Sequence, residues 1–219
     1  MSDQSIIEAK QQRSQTTQAK LLDALHFSLS TKFFEQISIK ELAEHANVSV
    51  GTFYRRFKNK ESLLPLLYQD FGRDLEHWVS LMESIGCETL KQQVESLCIE
   101  TYAFLNSRKS VFRTLHLNAR LHSHIIGSDK QVDRQIVYQR LVDLLIQFKD
   151  NSGDTIGVKE NDSQLEEKAG VVIYTLINTL LDKVIYPKLT PATASELEGE
   201  AFVNELSKML FLYLKSDQC

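Results

Sequence analysis

Residues 38–60 read SIKELAEHANVSVGTFYRRFKNK, and their apolar spacing fits two short helices joined by a tight bend. Ser38-Ile39-Lys40-Glu41 has the pattern of a capping box, with the Ser hydroxyl taking an amide three residues on and the Glu reaching back. A helix over Ile39–His45 then turns Ile39, Leu42, Ala43 and Ala46 inward. Ala43 is small where two helices must cross closely, and Val48, at the bend Asn47-Val48-Ser49, can plug the core beneath it. In a second helix over 50–57, Phe53 and Phe57 are four apart and share the anchoring face. Val50, Gly51, Thr52, Tyr54, Arg55 and Arg56 are left for solvent or a ligand. Two helices in this relation form a helix-turn-helix. The second helix of such a unit normally enters the DNA major groove by its N-terminal end.

The rest of the chain offers few places to stop a helix. Only 8 Gly and 3 Pro occur in 219 residues, and the apolar positions recur at helical spacing throughout. The spacing predicts helices over about 14–30 (Leu21, Leu22, Leu25, Leu29), from 60 toward 84 with Asn59 as its cap, and over 88–106, 109–125, 129–149, 164–185 and 195–215. Pro65 predicts a kink in the fourth helix, and Ser163-x-x-Glu166 reads as a further capping box. The stretch 150–162 is rich in Gly, Asp and Asn and reads as a loop. The expected fold is all-α with about nine helices. Residues 1–60 form a three-helix helix-turn-helix domain, its first thirteen or so residues a flexible arm, and 61–219 form a second helical domain.

Charge divides along the same line. The net charge of −4 excludes a uniformly basic polyanion binder, yet residues 1–60 carry nine Lys or Arg against six Asp or Glu, a net +3, leaving −7 on the remainder. A basic head on an acidic body suits one domain that meets a polyanion and one that does not.

The residues from Ile39 to Leu64 resemble the TetR family of transcription regulators. The match rests on Ile39-x-x-Leu42-Ala43, Ala46-x-Val48-Ser49-x-Gly51-Thr52-Phe53-Tyr54-x-x-Phe57 and Lys58-Asn59-Lys60-Glu61-x-Leu63-Leu64, with LLDAL at 21–25 fitting the family's first helix. It spans about residues 15–65. One departure is Phe33, where many members have a Gly, the residue suited to a left-handed helix stop. The resemblance implies a homodimer that binds a palindromic double-stranded DNA operator through its head, with a C-terminal domain that binds a small-molecule effector and dimerises. It implies DNA contacts from Thr52, Tyr54 and Arg55, and from Lys60 to phosphate. Side-chain chemistry adds Ser38, Ser49, Val50, Gly51 and Arg56 to that set, with Ser38 equally suited to being a helix cap only. A repressor is the commoner outcome of such an architecture, and that sign comes from the resemblance alone.

Two further sets follow. Trp78, Tyr102, Phe104, Phe112, His116, Asn118, Tyr138, Tyr174 and Asn178 combine aromatic area with a few polar groups, as small-molecule pockets do. Ile173, Ile177, Leu180, Leu181, Val184, Phe202, Leu206, Met209 and Tyr213 form apolar faces broad enough for a dimer bundle of the last two helices. Three cysteines without a CxxC pair argue against a disulfide framework. No long apolar run or apolar leader occurs, so a cytoplasmic protein that does not meet the membrane is expected. No cofactor and no catalytic residues are expected, since GxSxG, P-loop, HExxH and EF-hand patterns do not occur. Competing readings are a helical metal-dependent enzyme using His116, His122 or His124, and a DNA-independent adaptor. His122 and His124 are two apart and point to different sides of a helix, which counts against a shared metal.

Overall fold

The computed structural model describes residues 2–121, 134–148, 162–187 and 196–216. Among these the chain is all-α, with nine α-helices, two short 3-10 turns and no strand. The helices are α1 (Ser2–Leu29), α2 (Ile39–His45), α3 (Val50–Tyr54), α4 (Leu64–Ser84), α5 (Leu90–Ser107), α6 (Lys109–Leu121), α7 (Arg134–Ile146), α8 (Asp162–Ile185) and α9 (Gly199–Lys215). The all-α expectation therefore holds for the described residues, and scarce Gly and Pro account for it.

Several boundaries differ from the expected ones. α1 runs back to Ser2 through the residues expected to form an arm. Gln, Lys, Glu and Ala dominate there, and good helix formers extend a helix cheaply once its other end is packed. The hydroxyls of Thr16 and Thr17 donate to the carbonyls of Gln12 and Arg13, each at 2.9 Å. α3 ends at Tyr54 rather than Phe57: the Arg55 amide still reaches Gly51, but those of Arg56 and Phe57 both close on the Phe53 carbonyl. Lys60–Leu63 forms a 3-10 turn, and α4 begins only at Leu64. Pro65 thus falls in the first turn of α4, where an amide has no intrahelical acceptor to lose, and the expected kink is not required. Ser163 lies inside α8 rather than capping it. Residues 150–161 of the expected loop lie outside the described residues.

The chain divides into two compact units. The first takes the described residues up to Phe71 together with α6 from Ser110, so it extends past residue 60 and includes a helix from much later in the chain. Its core is Leu21, Leu25, Leu29, Phe34, Leu42, Phe53, Leu63, Leu64 and Leu67, all essentially inaccessible, with Val111 and Leu115 of α6 packed among them. Each such side chain contributes about 1.5–3 kcal/mol by leaving water. α6 is also tied in by polar contacts. Its Arg113 donates to the carbonyls of Leu29 (3.2 Å) and Lys32 (3.0 Å) at the end of α1, and the Tyr68 hydroxyl donates to the Leu115 carbonyl at 2.8 Å. The Arg113 guanidinium lies 4.2 Å from the Phe33 ring centroid. Phe33 itself has extended backbone (φ −78°, ψ 151°), so this chain leaves α1 without the left-handed stop that a Gly would supply.

The second unit takes Gly72–Lys109 and the later helices. In it α5 packs against α7, α8 and α9, and α8 packs against α7 and α9. Arg140 of α7 forms ion pairs with Glu76 and Glu83 of α4, which hold the Glu83 carboxyl below its ordinary range.

Candidate nucleic-acid interface

The bend between α2 and α3 is set by backbone chemistry. Ser38 caps α2, its Oγ accepting from the Glu41 amide at 3.1 Å. The Glu41 carboxylate, expected to return the bond, instead accepts from Lys32 Nζ at 2.6 Å, and that bond lowers its pKa. At the other end Asn47 adopts φ 53°. Its amide donates to the Glu44 carbonyl (3.0 Å), and the Val48 amide donates to Ala43 (2.9 Å). This is a Schellman stop with Asn in the left-handed position, one of the few residues besides Gly that enter it readily. Val48 follows and packs against the head core, as its position in the sequence predicts.

α3 starts at a second cap. Ser49 Oγ accepts from the Thr52 amide at 3.1 Å and lies 2.9 Å from Thr52 Oγ1, which in turn accepts from Arg55 Nη2 at 2.9 Å. The three side chains form a polar line on one face, and the guanidinium is held over the first turn. Phe53 on the opposite face is fully buried, its ring 5.4 Å from that of Phe57. Tyr54 is 56% exposed, with Val50 and Gly51 also at the surface. A Cβ built on Gly51 would meet nothing nearer than Ser49 Oγ at 3.8 Å, so the protein's own packing does not demand a glycine there.

The cations behave less uniformly than the sequence suggests. Arg55 is exposed. Arg56 is turned back onto α1, where it donates to the Ser14 carbonyl at 2.9 Å and to Ser14 Oγ. Lys60 donates to the carbonyls of Phe34 (2.7 Å) and Glu35 (3.1 Å) and lies 4.7 Å from the Phe34 ring centroid. Arg56 and Lys60 thus brace the head internally. Lys40 and Lys58 are exposed cations of the head that the sequence reading did not select. Both were already counted in its positive charge, the one signal that could have found them.

The nine candidate ligand residues do not converge on one unit. Phe112, His116 and Asn118 sit on α6 in the first unit, with Phe112 edge-on to Phe71 at 4.8 Å and the Asn118 amide donating to Thr114 O at 2.9 Å. Trp78 and Phe104 stack in the second unit, 5.0 Å apart and 7° from parallel. Tyr102 packs on the start of α9, where only a Gly at 199 leaves it room. Tyr138 is half-buried, while Tyr174 and Asn178 are exposed. Gln93, which the sequence did not single out, is fully buried, and both its amide heavy atoms lack a partner among the described residues. Its place in register with Leu90 and Leu97 was the available signal.

The dimer candidates also separate. Ile173, Leu180, Val184 and Leu206 are buried within this chain and already packed, so they are not available at its surface. Ile177, Leu181 and Phe202 are half-buried, and Met209 and Tyr213 are exposed. Val171, Tyr174 and Leu212 are exposed apolar neighbours of these residues along α8 and α9.

Among the described residues no three His, Cys, Asp or Glu side chains gather as a metal would require, and His122 and His124 lie outside those residues. No described helix is long and apolar enough to cross a membrane.

The head carries a capped, solvent-facing helix-turn-helix, a motif whose second helix enters the major groove in the proteins that use it to bind DNA. Residues 21–67 match the family described as bacterial regulatory proteins, tetR family. The match to that family is confined to this head. A stretch of 51 residues is 43% identical to the uncharacterized HTH-type transcriptional regulator YvkB of Bacillus subtilis (strain 168), covering 23% of this chain and 27% of that relative. Among solved structures, the fatty acid degradation regulator FadR from Bacillus halodurans is similar in fold over 89% of this chain and 94% of its own, with a TM-score of 0.59 at 18% identity. The dihydroxyacetone kinase operon activator DhaS is similar over 91% and 96%, with a TM-score of 0.52 at 14% identity.

Proposed function

We propose that this protein is a dimeric, sequence-specific DNA-binding regulator that represses transcription and is released from a palindromic operator by a small molecule. The observation that carries the reading is α3. Its Ser49–Thr52–Arg55 line, with exposed Val50, Gly51 and Tyr54, faces solvent while Phe53 anchors the opposite side. That division suits a helix that reads base edges with an oriented Arg and meets phosphate through Tyr54. The net +3 of residues 1–60 favours a polyanion, and the −7 of the remainder orients the basic end toward it.

A single head reads one half-site. Two must be spaced by about 34 Å on one face of the duplex, which requires a two-fold pair. Exposed Val171, Tyr174, Met209, Leu212 and Tyr213 on α8 and α9 supply an apolar surface suited to that pairing. The second unit is the place for the effector, which shifts the operator equilibrium only by as much as it prefers one conformation. Selection from random duplexes, followed by footprinting and a reporter assay, tests the whole reading. The expected product is a symmetric site protected by two protomers, with transcription rising when the gene is deleted. Failure to enrich any duplex would refute it.

A further inference from the structure

α5 lies between α7, α8 and α9, with a buried stripe of Leu90, Val94, Leu97, Cys98 and Leu105. Gln93 stands in that stripe at 0% exposure, and among the described residues neither its Nε2 nor its Oε1 has a partner. A carboxamide stripped of water and left unbonded is unfavourable, and a polar group brought in beside it recovers what was lost. Trp78 Nε1 of the same unit is likewise buried without a partner among the described residues, and two further buried polar groups are engaged elsewhere. Lys168, the unit's buried charged side chain among the described residues, places Nζ 2.5 Å from the Ser216 carbonyl, and Ser207 donates to the Asn204 carbonyl at 2.9 Å.

The same helix is inhospitable to negative charge. The Cys98 thiol is pushed up to about 12, by burial first and then by the charge of Glu95. An anion entering here would meet the same burial penalty.

We infer that Gln93 is the polar anchor of the effector site, and that the effector is a neutral amphiphile: an apolar body carrying an amide or hydroxyl that both donates and accepts a hydrogen bond. This rests on the reading of the second unit as the sensor. The carboxamide presents one donor group and one acceptor, matching such a head and leaving a carboxylate or an ammonium half-satisfied and uncompensated.

The test uses the full-length chain with octanamide, octanoate and octylammonium at neutral pH, by titration calorimetry and thermal melts. It compares wild type with Gln93→Leu and Gln93→Met, the second a shape-conserving control. Without ligand, both variants are expected to melt no lower than wild type. Octanamide is expected to bind saturably and about tenfold more tightly than either ion, and to lose about tenfold in both variants, the equivalent of one hydrogen-bonding partner. Lower melting of both unliganded variants would show that Gln93 has a structural partner and overturn the proposal. So would preference for either ion, absence of saturable octanamide binding, or octanamide binding that the variants leave unchanged. Duplex binding measured on the same preparations keeps the two readings apart. A chain that binds an operator but fails this comparison loses only the neutral-effector inference. A chain that passes it but binds no duplex loses the regulator reading.

Discussion

Substituting Gly51 by Ala separates the needs of the folded head from the needs of its ligand. In the folded chain the new methyl would find only Ser49 Oγ, at an ordinary 3.8 Å, and Gly51 lies within α3 without a left-handed backbone. Nothing in the protein resists it. Ala is the better helix former by up to about 1 kcal/mol, which in a chain of this size corresponds to a rise of about 2–4 °C in Tm. DNA binding should move the other way. A methyl between the backbone of α3 and the sugar–phosphate chain holds the helix away from the groove. We expect affinity for the selected operator to fall by about tenfold or more, about 1.4 kcal/mol. The assay pairs a calorimetric melt with equilibrium binding across a salt series. A variant that melts lower than wild type would refute the open position of Gly51. A variant with unchanged Kd and salt slope would refute close approach of α3 to DNA.

Asn47→Val should destabilise the head by about 1–2 kcal/mol, since a β-branched residue resists the left-handed stop, while Asn47→Gly should leave chemical denaturation nearly unchanged. Lys60→Ala should cost about 1.5–3 kcal/mol of stability by stripping a charged donor from the Phe34 and Glu35 carbonyls. Arg55→Ala should spare stability, weaken operator binding by about 1–3 kcal/mol and relax preference at one base pair. If instead Lys60→Ala lowered the salt slope by about one with stability intact, Lys60 would be a phosphate contact. Leu212→Glu, at a position 66% exposed, should yield monomers in sedimentation and weaken operator binding, whereas Leu206→Ala, buried, should cost about 2–5 kcal/mol of stability. The raised Cys98 pKa predicts a pH dependence. Below the ordinary thiol value near 9 both folded and unfolded chains hold the proton. Between there and about 12 only the unfolded chain ionises, so stability should fall across that window. Cys98→Val should flatten the curve, and an unchanged slope would refute burial as the cause.

Much of the head is legible in its sequence. Ser38 caps α2 as expected because a cap links residues three apart, and Asn59 caps the short turn that leads into α4 rather than α4 itself. The facing of Phe53 follows from helical period in the same way. What escaped the sequence were partners remote in the chain. Lys32 drew Glu41 out of its expected box, Ser14 took Arg56, and the carbonyls of Phe34 and Glu35 took Lys60. In the second unit, residues of similar composition were assigned to a pocket and to an interface, and burial sorted them differently. Leu206 and Ile173 went to the core, Met209 and Tyr174 to the surface, and Gln93 inside.

By itself the sequence determined an all-helical chain with a basic helix-turn-helix head, because helix formation, capping and the turn at Asn47 depend on neighbours within about four residues. Only the tertiary structure decided that α6 belongs to the head's own compact unit, that Arg55 stays exposed while Arg56 and Lys60 brace the fold, and that a carboxamide without a partner among the described residues lies in the interior of the second unit. Those outcomes depend on which distant groups arrive at the same place and exclude water there, and spacing along a chain does not encode that.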